Sequence, residues 1–138
     1  MSCAPRATLA IVAYGQPDLV EDLLDSIVDN TPEAHEILVV DNASPDDTYE
    51  RVQRHRSQPR LLRSDRNLGY GGGANLGVRA SNSEIVVIMN SDLKVTKDWL
   101  SPLLGPITTK SAVIAAPVYV NENGAVVESG ASLTADGH

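Results

Sequence analysis

Two carboxylates stand where apolar runs of this chain stop. Ile37–Val40 leads into Asp41–Asn42, and Glu84–Met89 leads into Asn90–Ser91–Asp92. A buried strand that ends in aspartate fixes one acidic group at the rim of a sheet, and open α/β folds bind ligands at the carboxyl ends of their strands. Thr8–Ala13, running into Tyr14–Gly15, adds a third such end. The Asp41 carboxylate could accept hydrogen bonds from a nucleobase or ribose. Asp-Asn pairs also make Asx-turns and helix caps unaided, and the segment alone leaves these readings even. Asn90–Ser91–Asp92 offers oxygen donors to a divalent cation, since one carboxylate can hold Mg²⁺ when substrate phosphates supply other ligands. A strand-terminal turn with a helix cap is the alternative there, and Ser44 and Asp46 read as caps.

The third candidate is glycine-rich. Gly69–Tyr70–Gly71–Gly72–Gly73–Ala74–Asn75–Leu76–Gly77 reads as a turn, Asn67 to Gly73, that opens a helix through Ala80. Glycines let backbone N–H groups approach a ligand closely, and a helix N-terminus favours phosphate. Gly69, Gly71 and Ala74 fit the loose dinucleotide pattern G-x-G-x-x-G/A, with Asp92 about twenty residues on. That fingerprint normally follows the first strand of its fold, whereas two strand–helix units precede it here. A flexible turn with close helix packing competes with the phosphate reading. His35, His55 and His138 lack ligand spacing and read as surface residues; Trp99 reads as packed on the sheet, with contact to a ligand from a rim position near Asp92 as the alternative.

The elements that must position these groups alternate. Helical spacing of Leu19, Val20, Leu23, Leu24, Ile27 and Val28 after Pro17 predicts a first helix, stopped at Thr31–Pro32. Strands are expected at Glu36–Val40, Arg60–Arg63, Glu84–Met89 and Ala112–Val120. Helices are expected over 47–55 and 97–104. Asn121–Glu122–Asn123–Gly124 signals a hairpin returning through Ala125–Glu128. Alternating β and α units imply a mostly parallel sheet with helices on both faces.

Composition fits that reading. The chain has 138 residues, no Phe and one Trp, so its core must be aliphatic, which suits a parallel sheet buried on both faces. A formal charge of −7 argues against a nucleic-acid partner, which needs a basic footprint. The single cysteine, Cys3, gives no internal disulfide, and no apolar run approaches the ~20 residues of a membrane span. A cytoplasmic protein is expected, with peripheral contact at the inner face of the membrane left open.

Taken in order, four segments resemble a known family: Thr8–Gly15, Ile37–Thr48 with its Val-Asp-Asn-Ala-Ser-Pro-Asp-Asp, Asn67–Gly77, and Ile85–Asp92. The chain is similar to the N-terminal, nucleotide-sugar-binding part of family 2 glycosyltransferases, which have the Rossmann-like GT-A fold. Within the family it is most similar to rhamnosyltransferase-like members, whose DxD position often reads Asn-x-Asp. The resemblance covers roughly residues 6–130, flanked by tails at 1–5 and 131–138.

The resemblance implies that Asp41 reads a uracil or thymine base, with Asn42 close to the nucleoside. Ala13 and Tyr14 would flank the base, although the family's Thr-Tyr-Asn reads Ala-Tyr-Gly here. Asn67, Gly71 and Asn75 would belong to the loop over the nucleotide. Ser91 and Asp92 would lie at the diphosphate, with Asp92 binding it through Mg²⁺ or Mn²⁺ and Asn90 replacing the first aspartate. The implied donor is a dTDP- or UDP-sugar, and the implied acceptor a saccharide or a lipid-linked molecule.

The family's acceptor base is an Asp or Glu from the second half of the domain, activating the acceptor for an inverting displacement. Glu122, Glu128 and Asp136 match no such motif, so no catalytic residue is assigned. The chain is expected to be a donor-binding half whose C-terminal part is missing, inactive when isolated. An inert nucleotide-sugar-binding subunit and, further off, a dinucleotide-binding oxidoreductase are the other readings.

Overall fold

The computed structural model describes residues 6–129, so Cys3, Asp136, His138 and both predicted tails lie outside it. Contacts divide the chain into two compact units, one ending at Lys97 and the other beginning at Asp98.

The first unit is a β/α alternation: β1 (Ala7–Ala13), α1 (Pro17–Asn30), β2 (His35–Asp41), α2 (Thr48–Arg54), β3 (Arg60–Arg63), α3 (Gly69–Ala80) and β4 (Val86–Asn90). All four strands are parallel, in the order β3-β2-β1-β4. The chain steps outward from β1 to β3, then returns across the sheet to β4. Because parallel crossovers are right-handed, that reversal puts α1 and α2 on one face and α3 on the other. The point of reversal lies between β1 and β4, where such sheets open a crevice at their carboxyl ends.

The core is aliphatic, as the composition requires. Every residue of β1 is buried, and Ile37 to Asp41 of β2 are too. Strand alternation sends Ala10, Val12 and Val40 toward α3 and Leu9 and Ile11 toward the opposite face. There α1 buries Val20, Leu23, Leu24 and Ile27, the apolar stripe of the predicted helix. Pro17 stands in its first turn, where the missing N–H costs nothing.

Ion pairs join α1 to α2 and to the segment just after it. Arg51 pairs with Asp18 and Glu21, and Arg56 with Asp25 and Asp29. His55 departs from the surface position expected of it: its side chain is only 8% exposed. Its Nδ1 accepts the Ser57 N–H at 3.2 Å, so Nε2–H faces Asp25 Oδ1 at 3.3 Å. Asp25 of α1 stands against the ring, a tertiary contact with no local sequence signal. The hydrogen bond from Arg56, supported by His55, holds the Asp25 carboxyl below its ordinary value.

The second unit contains α4 (Leu100–Thr108) and an antiparallel hairpin, β5 (Val118–Val120) with β6 (Val126–Ser129). The hairpin turn is the predicted one. Asn121 Oδ1 accepts the N–H groups of Asn123 and Ala125 at 3.0 Å each, and Gly124 takes a positive φ of 77°. Two expectations are corrected. α4 begins at Leu100 rather than Lys97 and continues past Leu104 through Pro106 to Thr108. Residues 112–117 form no strand, because among the described residues no neighbour pairs with them and Pro117 has no N–H to offer.

Candidate functional site

The register sets the rim. Ala13 of β1 stands opposite Asp41 of β2, Asp41 opposite Arg63 of β3, and Val12 opposite Asn90 of β4. Asp41 and Asn90 therefore flank β1 at nearly one level, about 10 Å apart at the usual strand spacing.

Asp41 is 1% exposed and only partly satisfied. Its Oδ1 accepts the Ser44 N–H at 3.3 Å. Its Oδ2 lies 3.2 Å from Arg63 Nε, yet makes no hydrogen bond, because the N–H is not aimed at it. A buried carboxylate oxygen with spare acceptor capacity is costly unless something uses it. Arg63 is held in turn by the Ser44 carbonyl, at 3.2 Å from Nη2, and by the Tyr49 ring, whose centroid is 5.0 Å from the guanidinium carbon. An open cleft of about 440 Å³ beside it is lined by Arg63, Ser64, Asp65, Arg66 and Leu68. Sequence reasoning missed Arg63. Its signal was the Arg60-Leu-Leu-Arg63 pattern, in which a cation ends the strand next to the one that ends in Asp41.

Asn42 faces the α3 side and is fully engaged. Its Nδ2 donates to Asn67 Oδ1 at 3.1 Å and to the Gly69 carbonyl at 3.0 Å. Its Oδ1 accepts from Ser64 Oγ at 3.2 Å and from the Leu68 N–H at 2.9 Å. Asn42 thus ties the end of β2 to the start of α3, with its polar atoms spent inside the protein. Asn67 shares that junction, its Oδ1 also accepting the Gly69 N–H at 2.8 Å.

The structure corrects the reading of Ser44 as a cap. Its hydroxyl accepts the Gly15 N–H at 2.8 Å and so joins the β1–α1 turn to the loop after β2. Gly15 has a φ of 67°, and a Cβ there would lie 3.2 Å from Asp46 Oδ2. Asp46 is not the cap either: the residue at that position of α2 is Asp47, and Asp46, one residue earlier, accepts from the Thr48 N–H at 3.2 Å and its hydroxyl at 2.5 Å in a local turn. The hydroxyl bond is the main reason its carboxyl is held below the ordinary value.

The glycine run is the second correction. It is the first turn of α3 itself, since the helix starts at Gly69. Its glycines have different tasks. A Cβ on Gly73 would meet Val12 Cγ1 at 2.6 Å, and one on Gly72 would meet Leu68 Cβ at the same distance. Around Gly71 nothing lies within 4 Å, so that position faces open space. Gly71→Val should therefore change the melting temperature little, whereas Gly73→Val should lower it sharply. Thermal unfolding of the two variants separates the open position from the packed one. Asn75 is exposed one helical turn beyond Gly71.

At the other strand ends, Ala13 is buried while Tyr14 is 53% exposed. Asn90 and Asp92 are exposed, Ser91 is half-buried, and Asp92 makes no hydrogen bond or ion pair among the described residues. No group of three His, Cys, Asp or Glu side chains that could hold a metal exists among those residues. A cation at this rim would have the Asp92 carboxylate and the Asn90 and Ser91 oxygens. Such hard donors suit Mg²⁺ or Mn²⁺ when phosphate oxygens complete the shell.

The fold has solved counterparts. A mannosyltransferase from Pyrobaculum calidifontis, solved with GDP-Man and Mn²⁺, matches with a TM-score of 0.66 and 30% identity, over 72% of this chain and 31% of that one. S. aureus TarS (residues 1–349) matches in fold with a TM-score of 0.67 at 22% identity, over 75% of this chain and 32% of that one. These neighbours are GT-A glycosyltransferases, and the parallel four-stranded sheet with flanking helices is the corresponding α/β architecture. The family model described as "Glycosyl transferase family 2" matches residues 8–133, and the chain belongs to that family.

Among curated relatives, the succinoglycan biosynthesis protein ExoO of Rhizobium meliloti is 30% identical over 112 residues, 80% of this chain and 32% of that protein. A dolichol-phosphate mannosyltransferase of Pyrococcus furiosus is 27% identical over 119 residues, 83% of this chain and 34% of that protein. The chain thus spans about a third of the length of these relatives. Among the described residues no helix is long and apolar enough to cross a membrane.

Proposed function

We propose that this chain binds the nucleotide-sugar donor of a family 2 glycosyltransferase, with the base on Asp41 and the diphosphate at Asp92. The observation that carries the reading is the buried Asp41 Oδ2, which has spare acceptor capacity at the carboxyl rim of a parallel sheet. An imide N–H of uracil or thymine supplies the missing donor, and the neighbouring Arg63 can turn an N–H toward a flanking ring carbonyl. Asp92, a free carboxylate beyond β4, would hold Mg²⁺ or Mn²⁺ together with the diphosphate. The bound cation would offset the charge of the leaving diphosphate.

The donor favoured is a dTDP- or UDP-hexose, with the rhamnosyltransferase-like subtype resting on Asn90–Ser91–Asp92. The GDP-Man in the Pyrobaculum protein makes a guanine nucleotide the comparison to run beside it. Transfer to a saccharide or lipid-linked acceptor with inversion requires a base that takes the acceptor's proton. None of this chain's carboxylates is assigned that role, so donor binding without transfer is the expected behaviour of the 138 residues.

The test is calorimetry of UDP, dTDP and GDP with and without Mn²⁺, on the wild-type chain and Asp92→Ala. Metal should strengthen binding to the wild type and make no difference to the variant. Equal affinity with and without metal in the wild type would sink the role given to Asp92.

A further inference from the structure

The four residues that carry Asp92 are pinned at both ends. Before them, Asn90 is still in register with Val12 of β1. After them, the backbone of Val95 is gripped by side chains of α1. Ser26 Oγ accepts the Val95 N–H at 3.1 Å while donating to the Leu23 carbonyl at 2.8 Å. Asn30 Nδ2 donates to the Val95 carbonyl at 3.3 Å and to the Ser26 carbonyl at 3.0 Å. Both polar backbone groups of Val95 thus end on α1, as though the helix offered one residue of strand.

Ser26 and Asn30 are four residues apart, and Asp22, four earlier, places Oδ2 2.9 Å from Lys94 Nζ. Residues spaced by four stand above one another on a helix, so Asp22, Ser26 and Asn30 form one stripe down α1. The stripe cannot drift, because α1 is seated on the sheet by Val20, Leu23, Leu24 and Ile27, each 0% exposed. The Lys94–Asp22 pair is more than half exposed on both sides and adds little. The two backbone contacts are what fix the segment.

We propose that Ser26 and Asn30 are positioning residues for Asp92: they hold the 91–94 segment so that its carboxylate meets the cation and the diphosphate of the donor. The proposal rests on the donor-site reading above and adds to it two residues that touch neither metal nor nucleotide. Partners that orient a ligating carboxylate from behind are commonly worth 10–100-fold in metal affinity. A four-residue span released at one end loses much of the preorganisation that a lone carboxylate needs.

The experiment uses the 138-residue chain and Mn²⁺, titrated by electron paramagnetic resonance in the presence of UDP. Hydrogen exchange of residues 91–95 is followed alongside. Ser26→Ala and Asn30→Ala should each weaken Mn²⁺ binding by about tenfold and speed exchange at Val95. Ser26→Thr, which keeps the hydroxyl, should restore both. Uridine, which lacks phosphates, should bind all variants as it binds the wild type, a result that general destabilisation would not give.

Wild-type Mn²⁺ affinity in both alanine variants would overturn the positioning role while leaving the donor site intact. Parallel losses of Mn²⁺ and uridine binding would overturn it as well, by pointing to a structural role alone. A wild-type chain whose UDP binding ignores Mn²⁺ would overturn the metal-site reading itself, and the positioning role with it.

Discussion

Asp41→Asn is expected to exchange the base preference of this chain. The substitution keeps the shape and can keep the bond from the Ser44 N–H to Oδ1, but it gives up the ion pair of Oδ2 with Arg63 Nε at 3.2 Å, so thermal unfolding is followed beside binding. At the other atom it replaces an acceptor with a donor. Uracil presents an N–H at ring position 3, which would then face another N–H, whereas cytosine presents a bare nitrogen there and would be accommodated. A hydrogen bond to a charged group contributes about 1.5–3 kcal/mol, so UDP affinity should fall roughly tenfold to a hundredfold. CDP should gain relative to UDP. Competition calorimetry of UDP against CDP on the wild type and the variant reads the ratio. An unchanged ratio would mean that the base does not rest on Asp41.

Asn42→Ala should act on stability first and on binding only through it. The side chain makes four hydrogen bonds from a position 2% exposed, joining β2 to the Asn67–Gly69 junction and α3. Its removal leaves the Leu68 N–H and the Gly69 carbonyl without these partners, in a region that includes the uncapped start of α3. At about 1 kcal/mol for each bond, with a further cost for groups left unpaired, the loss should reach roughly 4 kcal/mol. That is a large part of the 5–15 kcal/mol typical of a domain. Urea unfolding should show a lower midpoint with an unchanged slope. A loss below about 1 kcal/mol would show that water or a rearranged loop replaces the amide.

The contrast between these neighbours explains how much could be read from the chain. Asp41 and Asn42 both stood out, since a polar pair after a fully apolar strand has few reasons to exist. Which of the two keeps a spare polar atom depends on the face each points to, and on residues 22 to 27 positions away that are near only after folding. β1 and β2 were legible as short unbroken apolar runs ending in polar residues, the mark of parallel strands buried on both faces, and α1 by its period of 3.6.

The start of α3 was not legible. Glycine propensity argues for a turn at Gly69–Gly73, yet close packing on Val12 and the Asn42 junction impose a helix. His55 read as a surface residue for the same kind of reason, since its partner Asp25 lies on another helix, 30 residues back. Arg63 was passed over because the Arg60-Leu-Leu-Arg63 pattern does not by itself say which strand lies beside it. Its meaning comes from the register that sets it opposite Asp41. Residues 112–117 failed the other way, with strand-forming residues but, among the described residues, no neighbouring strand to pair with.

Gly77 sits where α3 crosses the sheet, and a Cβ there would stand 3.2 Å from the Ala10 Cβ and 3.5 Å from Val40 Cγ2. That spacing links positions 67 residues apart in the chain. A larger side chain at 77 must lift the helix or find less volume at 10, and a larger one at 10 closes the same gap from below. Among descendants of this sequence, the sizes at positions 10 and 77 should therefore vary in opposite senses. A change at either alone would be selected against before any effect on ligand binding came into play, and the two sites would be inherited as one unit.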